Sequence, residues 1–256
     1  MSDPTLIIGS LISPYVRKVL TVCELKGVPY VLDPVVPFFG DDAFAERSPL
    51  RRIPVLVDED VTLPDSSVIC QYLEERYPEP SVLPGDPAAR GHARWLEEFA
   101  DTRLGDVFIW RIYGEAVIAP VLLKRECDQA RVDEALQGQV PGIMDYLESV
   151  APPAGFVGGS EPGLGDISIA VFFANLRWAR TGLDLGRWPA TRAWLERTGE
   201  IEPLRRLTGI ADELIVTPHR EREAIYRARG MPLAASSHAT GTYRSGPMTA
   251  ENLATG

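Results

Sequence analysis

Ser13 and Pro14 stand together where a short apolar run, TLIIG (5–9), gives way to a helical pattern. Serine is a good N-cap and proline suits the first helical position, so the pair starts a helix. The same place aims a hydroxyl at free backbone N–H groups and the positive end of the helix dipole, a setting that favours an anion. A plain cap accounts for Ser13 equally well from local residues alone. Two more pairs stand at element boundaries: Ile53-Pro54 ahead of an apolar strand, and Asp65-Ser66 where a hairpin enters a helix. Ser66 reads as the cap of that helix, and an acid directly before a cap is more than capping needs. Arg51 and Arg52 precede the Ile-Pro pair as candidate anion contacts.

The three cysteines, at 23, 70 and 127, are far apart and fall in helical patterns. That suits reduced core thiols better than disulfides, and the three histidines make no ligand spacing with them; no metal is expected. Net charge is −10, with 7 basic and 13 acidic residues up to residue 80 and 19 and 23 beyond it. Neither part carries a basic surplus, which argues against nucleic acid and against an anionic membrane surface. No apolar run nears the roughly 20 residues of a membrane span, and the first ten residues lack a basic region before their short apolar stretch. A cytoplasmic protein is expected.

Elements that position these residues follow from periodicity. TLIIG reads as a buried strand, and Val16, Val19, Leu20 and Cys23 form one face of a helix closed by Gly27. A second strand falls in 29–36, a weak helical turn in 41–48, a hairpin in PVLVDEDVTL and a helix from Ser66 to Pro78. The order is β-α-β-α-β-β-α. PEPSVLPGDP (78–87) has four prolines and a glycine, a linker by composition. Beyond it helical patterns cover about 87–114, 126–150, 164–180, 189–199 and 202–216, with Gly163 and Asp166 forming half of a capping box. The expected domains are 1–78, a linker 79–86, an all-helical domain 87–217 and an extension 218–256. HREREAIYRARG (219–230) suits one more charged helix; the rest of the extension lacks periodicity and reads as flexible unless a core or a second subunit holds it.

With this layout, SPYVRKV, RRIPVLVDE and LPDSSVICQYLEERYP, in that order and spacing, resemble the cytosolic glutathione transferase family of bacterial type over about residues 5–210. The resemblance implies an α+β chain: a thioredoxin-like domain followed by an all-α domain. It makes glutathione the cosubstrate and Ser13 the group that stabilises its thiolate, at the position where thioredoxin-like relatives carry a cysteine. Ser10 and Tyr15 are alternatives for that role. Arg17 reads as a solvated helix residue or a support for the loop. The resemblance also implies a cis Ile53-Pro54 bond, whose residue 53 backbone pairs with the cysteinyl part of glutathione. Asp65 and Ser66 would hold the γ-glutamyl end and Arg52 the glycyl carboxylate. The usual glycine is missing at Arg51, which puts that turn in doubt.

For a hydrophobic electrophile the candidates are Tyr15, Phe38 and Phe39, with Asp106, Trp110 and Tyr113 along the long helix; such a stripe serves equally as core. The resulting expectation is a homodimeric glutathione transferase acting in detoxification. The alternatives are a glutathione-dependent lyase or peroxidase with a dedicated catabolic substrate, and a non-catalytic interaction protein of the same fold.

Overall fold

A computed structural model describes residues 4–244. Contacts divide the chain into one unit of residues 1–81 with 206–256 and another of 82–205. The helical stretch beyond 205 and the described part of the extension group with the first unit. The remainder of the extension, 245–256, lies outside the described residues.

In the first unit the order is β1 (Thr5–Ile8), α1 (Pro14–Leu25), β2 (Tyr30–Asp33), α2 (Asp42–Arg47), β3 (Val55–Asp58), β4 (Val61–Leu63) and α3 (Ser66–Arg76). This is the expected βαβαββα, with a short 3-10 turn at Pro37–Phe39. The sheet order is β2-β1-β3-β4. β1 is parallel to β2 (Thr5 opposite Tyr30) and antiparallel to β3 (Leu6 opposite Val57), and β3 and β4 form the hairpin. β1 has neighbours on both sides, which suits its apolar TLII. Ile8, Val35, Phe44 and Val55 form a buried cluster, with Leu6, Ile53 and Val57 packed against it.

The extension is ordered as far as it is described. α9 (Glu202–Val216) and the short α10 (Arg222–Ala228) are followed by a strap of residues 231–244. Leu32 donates its N–H to Pro232 and accepts from Ala234 (2.7 and 2.9 Å), so the strap adds a parallel bridge at the outer edge of β2. Farther along it pairs with the turn before α2: Asp41 N–H donates to His238, and Thr240 N–H to Phe39. An edge of unpaired backbone groups is a liability that this covering removes. Of the two readings of this segment, the one in which a core holds it applies over 231–244, where backbone bonds that leave no side-chain period fix it.

The second unit is helical. α4 (Pro87–Phe99) starts at Asp86, which accepts from the N–H groups of Ala88 and Ala89. The helix then continues with wider winding over Ala100–Leu123, past the expected end near 114, and stops at Lys124 with φ +55°. α5 (Gln129–Glu134) runs through Ala135–Gln139 into α6 (Val140–Val150). α7 (Leu164–Trp178) packs on α4 and on the 100–123 segment, and α8 (Pro189–Gly199) packs on α6 and α7. At Gly165 a Cβ would lie 3.2 Å from the Ala93 Cα, so glycine lets α7 and α4 approach. Asp166 accepts from Gly163 N–H (3.0 Å), Val157 N–H (2.9 Å) and the Trp194 indole (2.7 Å). Burial pushes its carboxyl above the usual range, and the three N–H donors oppose that shift. Among the described residues no helix is long and apolar enough to cross a membrane.

Candidate functional site

Ser13 caps α1 in an extended conformation (φ −72°, ψ 129°). Its Oγ accepts from the Val16 N–H only at 3.5 Å, a long bond that leaves the hydroxyl weakly committed. The loop before it is held far more firmly. Arg17 is fully buried and donates to the carbonyls of Leu11 (2.6 Å) and Ile12 (3.0 Å), so it supports the loop and is not a solvated helix residue. Ser10 is buried, accepts from Ile12 N–H and lies 3.5 Å from the Tyr226 hydroxyl. Tyr15 is half-buried.

Two contacts bring the three sequence motifs to one place. Gly9, at φ +151°, has no Cβ because one would lie 2.6 Å from the Val16 side chain and 3.1 Å from the Ile53 Cβ. The first turn of α1 and Ile53 thus flank the same backbone. On the next turn of α1, the buried Lys18 donates to Ser67 Oγ at 3.3 Å, which ties α1 to the first turn of α3. Ile53-Pro54 is cis.

At α3 the cap is Asp65 and not Ser66. Asp65 Oδ1 accepts from the N–H groups of Ser67 (2.9 Å) and Val68 (3.1 Å), and Ser66 is the buried first helical residue. Aspartate is as good a cap as serine and adds charge at the positive end of the dipole. Its carboxylate is exposed and keeps acceptor positions to spare.

Before the Ile-Pro pair, Arg51 takes the left-handed conformation (φ +53°) that a glycine would take without strain. Its guanidinium donates to the Gly40 carbonyl (2.6 Å) and lies over the Phe44 ring at 5.6 Å. Burial lowers its pKa from the ordinary value. Arg52 is held through its backbone: its N–H donates to Ser48 Oγ (2.9 Å), and Ser48 Oγ donates to its carbonyl (2.8 Å). Ser48 carried no signal in the sequence beyond its place at the end of a helical turn.

The electrophile candidates separate by packing. Phe38 is buried and stacks on Tyr243 (6.0 Å between centroids), and Phe39 meets His219 and Tyr243. In the helical unit Asp106 pairs with Arg103 and Arg111 (3.5 and 3.2 Å), and Tyr113 is buried beside Trp178. Trp110 is half-buried. Cys23 and Cys70 are buried free thiols and Cys127 is half-buried.

Residues 7–81 match the family model described as the glutathione S-transferase N-terminal domain, and residues 129–197 its C-terminal domain. A probable glutathione S-transferase of Glycine max is 30% identical over 169 residues, 66% of this chain and 69% of that protein. A stringent starvation protein A homolog of Haemophilus ducreyi is 41% identical over 80 residues, 31% of this chain and 37% of that protein. Among solved structures, the theta class glutathione S-transferase of Xanthomonas axonopodis pv. citri with glutathione bound superposes with a TM-score of 0.69 at 25% identity, covering 81% of this chain and 98% of that one. Sequence and architecture agree on both halves of the chain, which belongs to the glutathione S-transferase family of enzymes.

Proposed function

We propose that the first unit binds glutathione and that the Ser13 hydroxyl donates to its sulfur, holding it as a thiolate for attack on a soft electrophile. The observation that carries this reading is the convergence, through Gly9 and the Lys18–Ser67 bond, of α1 beginning at Ser13, Ile53-Pro54 and the Asp65 turn. A thiol that ionises above neutrality is mostly unreactive at pH 7; a hydroxyl donor and a helix N-terminus lower its pKa. The Ile53 backbone pairs with the cysteinyl part, Asp65 receives the γ-glutamyl ammonium, the Ser66 region its carboxylate, and Arg52 the glycyl carboxylate. The new S–C bond forms as the leaving group departs with its electron pair, the thiol proton having gone to solvent. Of the aromatic candidates, Phe38 and Tyr113 are buried, while Tyr15 and Phe39 in the first unit and Trp110 in the second keep accessible surface.

The test is calorimetric titration with glutathione together with steady-state kinetics on an activated aryl halide. Ser13→Ala lowers kcat by about 10- to 100-fold, the loss of one donor to developing or resident charge, and leaves glutathione retention nearly unchanged. Wild-type turnover in that variant removes Ser13 from the mechanism. The 41% identity to a stringent starvation protein A homolog supports a second reading, a non-catalytic interaction protein on the same fold. Absence of glutathione binding by the wild-type chain favours it. A cytoplasmic homodimer belongs to the first reading; Leu50 and Val68 expose about half of their surfaces in the first unit, and a single-chain mass in sedimentation analysis refutes the dimer.

A further inference from the structure

The loop carrying Ser13 is braced by a residue from the far end of the chain. The Leu11 N–H donates to the Tyr226 hydroxyl at 3.2 Å, and the same oxygen lies 3.5 Å from Ser10 Oγ. Ser10 passes the constraint on: its Oγ accepts from the Ile12 N–H (3.4 Å) and its carbonyl from the Ser13 N–H (3.0 Å). The backbone N–H groups of three successive residues up to Ser13 therefore depend on Tyr226 or on Ser10. Arg17 holds the carbonyls of Leu11 and Ile12.

Tyr226 lies on α10, well past residue 197 where the matched C-terminal model ends, and is 1% exposed. Phenylalanine would fill the same volume, so what tyrosine adds is its hydroxyl, and both partners of that hydroxyl are in the Ser13 loop. Leu11 is fully buried, and without Tyr226 its N–H loses the acceptor at 3.2 Å; a buried donor in that state is costly, and the loop must shift to regain a partner. Among the described residues the Ser13 hydroxyl makes only its 3.5 Å bond to Val16, so the backbone beneath it fixes its direction.

We infer that Tyr226 is a positioning residue for the thiolate: its hydroxyl, through Leu11 and Ser10, sets the place from which Ser13 donates to the sulfur. This rests on the proposed role of Ser13. The Tyr226 hydroxyl accepts the Leu11 N–H and meets the Ser10 Oγ at 3.5 Å, and Ser10 in turn accepts from Ile12 and Ser13.

The experiment uses the full chain with glutathione and an aryl halide, reading the pH profile of kcat/KM and the ultraviolet absorbance of the bound thiolate. Tyr226→Phe raises the midpoint by about 0.5 pH unit and lowers kcat at neutral pH by about fivefold, the effect of one lost hydrogen bond, with the glutathione KM within about twofold. Combined with Ser13→Ala it adds nothing further, because both act on one interaction. An unchanged midpoint and kcat in Tyr226→Phe overturns the inference. If that variant melts early, the same profile is read at a temperature where circular dichroism shows it folded: a shifted midpoint there supports the inference and an unshifted one overturns it. A wild-type chain that does not bind glutathione, or Ser13→Ala with the wild-type midpoint, overturns the Ser13 reading and this inference together. Normal binding, a shifted Ser13→Ala and an unshifted Tyr226→Phe overturn this inference alone.

Discussion

Asp33 and His238, 205 positions apart, are joined by two hydrogen bonds to one carboxylate oxygen: the His238 backbone N–H and its Nδ1 both lie 2.8 Å from Asp33 Oδ2. The other oxygen accepts from the Ser237 hydroxyl at 2.6 Å. With Nδ1 donating to Asp33, His238 Nε2 is left as the acceptor for Arg47, so the network assigns the tautomer. The Asp33 side chain is wholly buried, and it is the polar clamp between β2 and the strap.

Asp33→Ala leaves those three donors without their acceptor. Loss of a buried hydrogen-bonded acceptor costs about 2–4 kcal/mol. Urea unfolding should show that loss, and limited proteolysis should cut within 231–244 well before the rest of the chain. Wild-type resistance of the strap would remove Asp33 as its anchor.

At Arg51 the contacts and the backbone make opposite demands. Arg51→Ala and Arg51→Gly both lose the bond to Gly40 and the Phe44 contact, but only glycine relieves the positive φ. The glycine variant should be the more stable of the two by about 0.5–1 kcal/mol. The reverse order in parallel urea titrations would mean that the turn is not strained.

Asp65 has a structural and a proposed binding task, and two variants separate them. Asp65→Asn keeps a good cap and removes the charge; Asp65→Ala removes both, at about 1 kcal/mol for the cap. The asparagine variant should melt close to wild type yet bind glutathione at least about fivefold more weakly, as expected for a lost charge-assisted bond. Unaltered calorimetric affinity would leave Asp65 with capping alone.

Burial pushes the Cys23 thiol up to about 12, and raises the Tyr30 and Tyr226 phenols as well. Each binds its proton more tightly in the folded chain. Their contribution is thus fully present below the unfolded pKa values and is lost as pH rises toward the folded ones. Stability should fall from about pH 9 upward, each group adding a slope of about 1.4 kcal/mol per pH unit while only its unfolded form is ionised. Cys23→Ala should flatten that slope by about one proton in urea titrations between about pH 9 and 11. An unchanged slope would exclude the thiol as a source of alkaline lability.

The alternating strands and helices of residues 5–76 were legible because each buries one face with a regular period, and the Ser-Pro, Ile-Pro and Asp-Ser pairs were legible because their residue types are suited to few local conformations. The rest resisted for physical reasons. Arg17 reads equally as a solvated charge or a support for the loop, because nothing local says that its guanidinium will turn back onto the carbonyls of its own loop. Asp65 and Ser66 are both good caps, and only the backbone decides which of them lies outside the helix. Tyr226 sits in a run of charged residues, with one neighbouring isoleucine to suggest a buried face. The strap pairs through main-chain groups that every residue possesses, so composition hides it.

The parallel bridge of Leu233 on Leu32 has a consequence for synthesis. The segment bearing Ser13 leaves the ribosome early, yet Tyr226 and the strap emerge some two hundred residues later, roughly 10–40 s at ordinary elongation rates. Until then β2 lacks its cover and the loop at Leu11 lacks its brace. The first unit is completed by residues made long after its sheet, so a chain cut short before α10 carries every motif of the proposed thiol site without the residue that braces its loop.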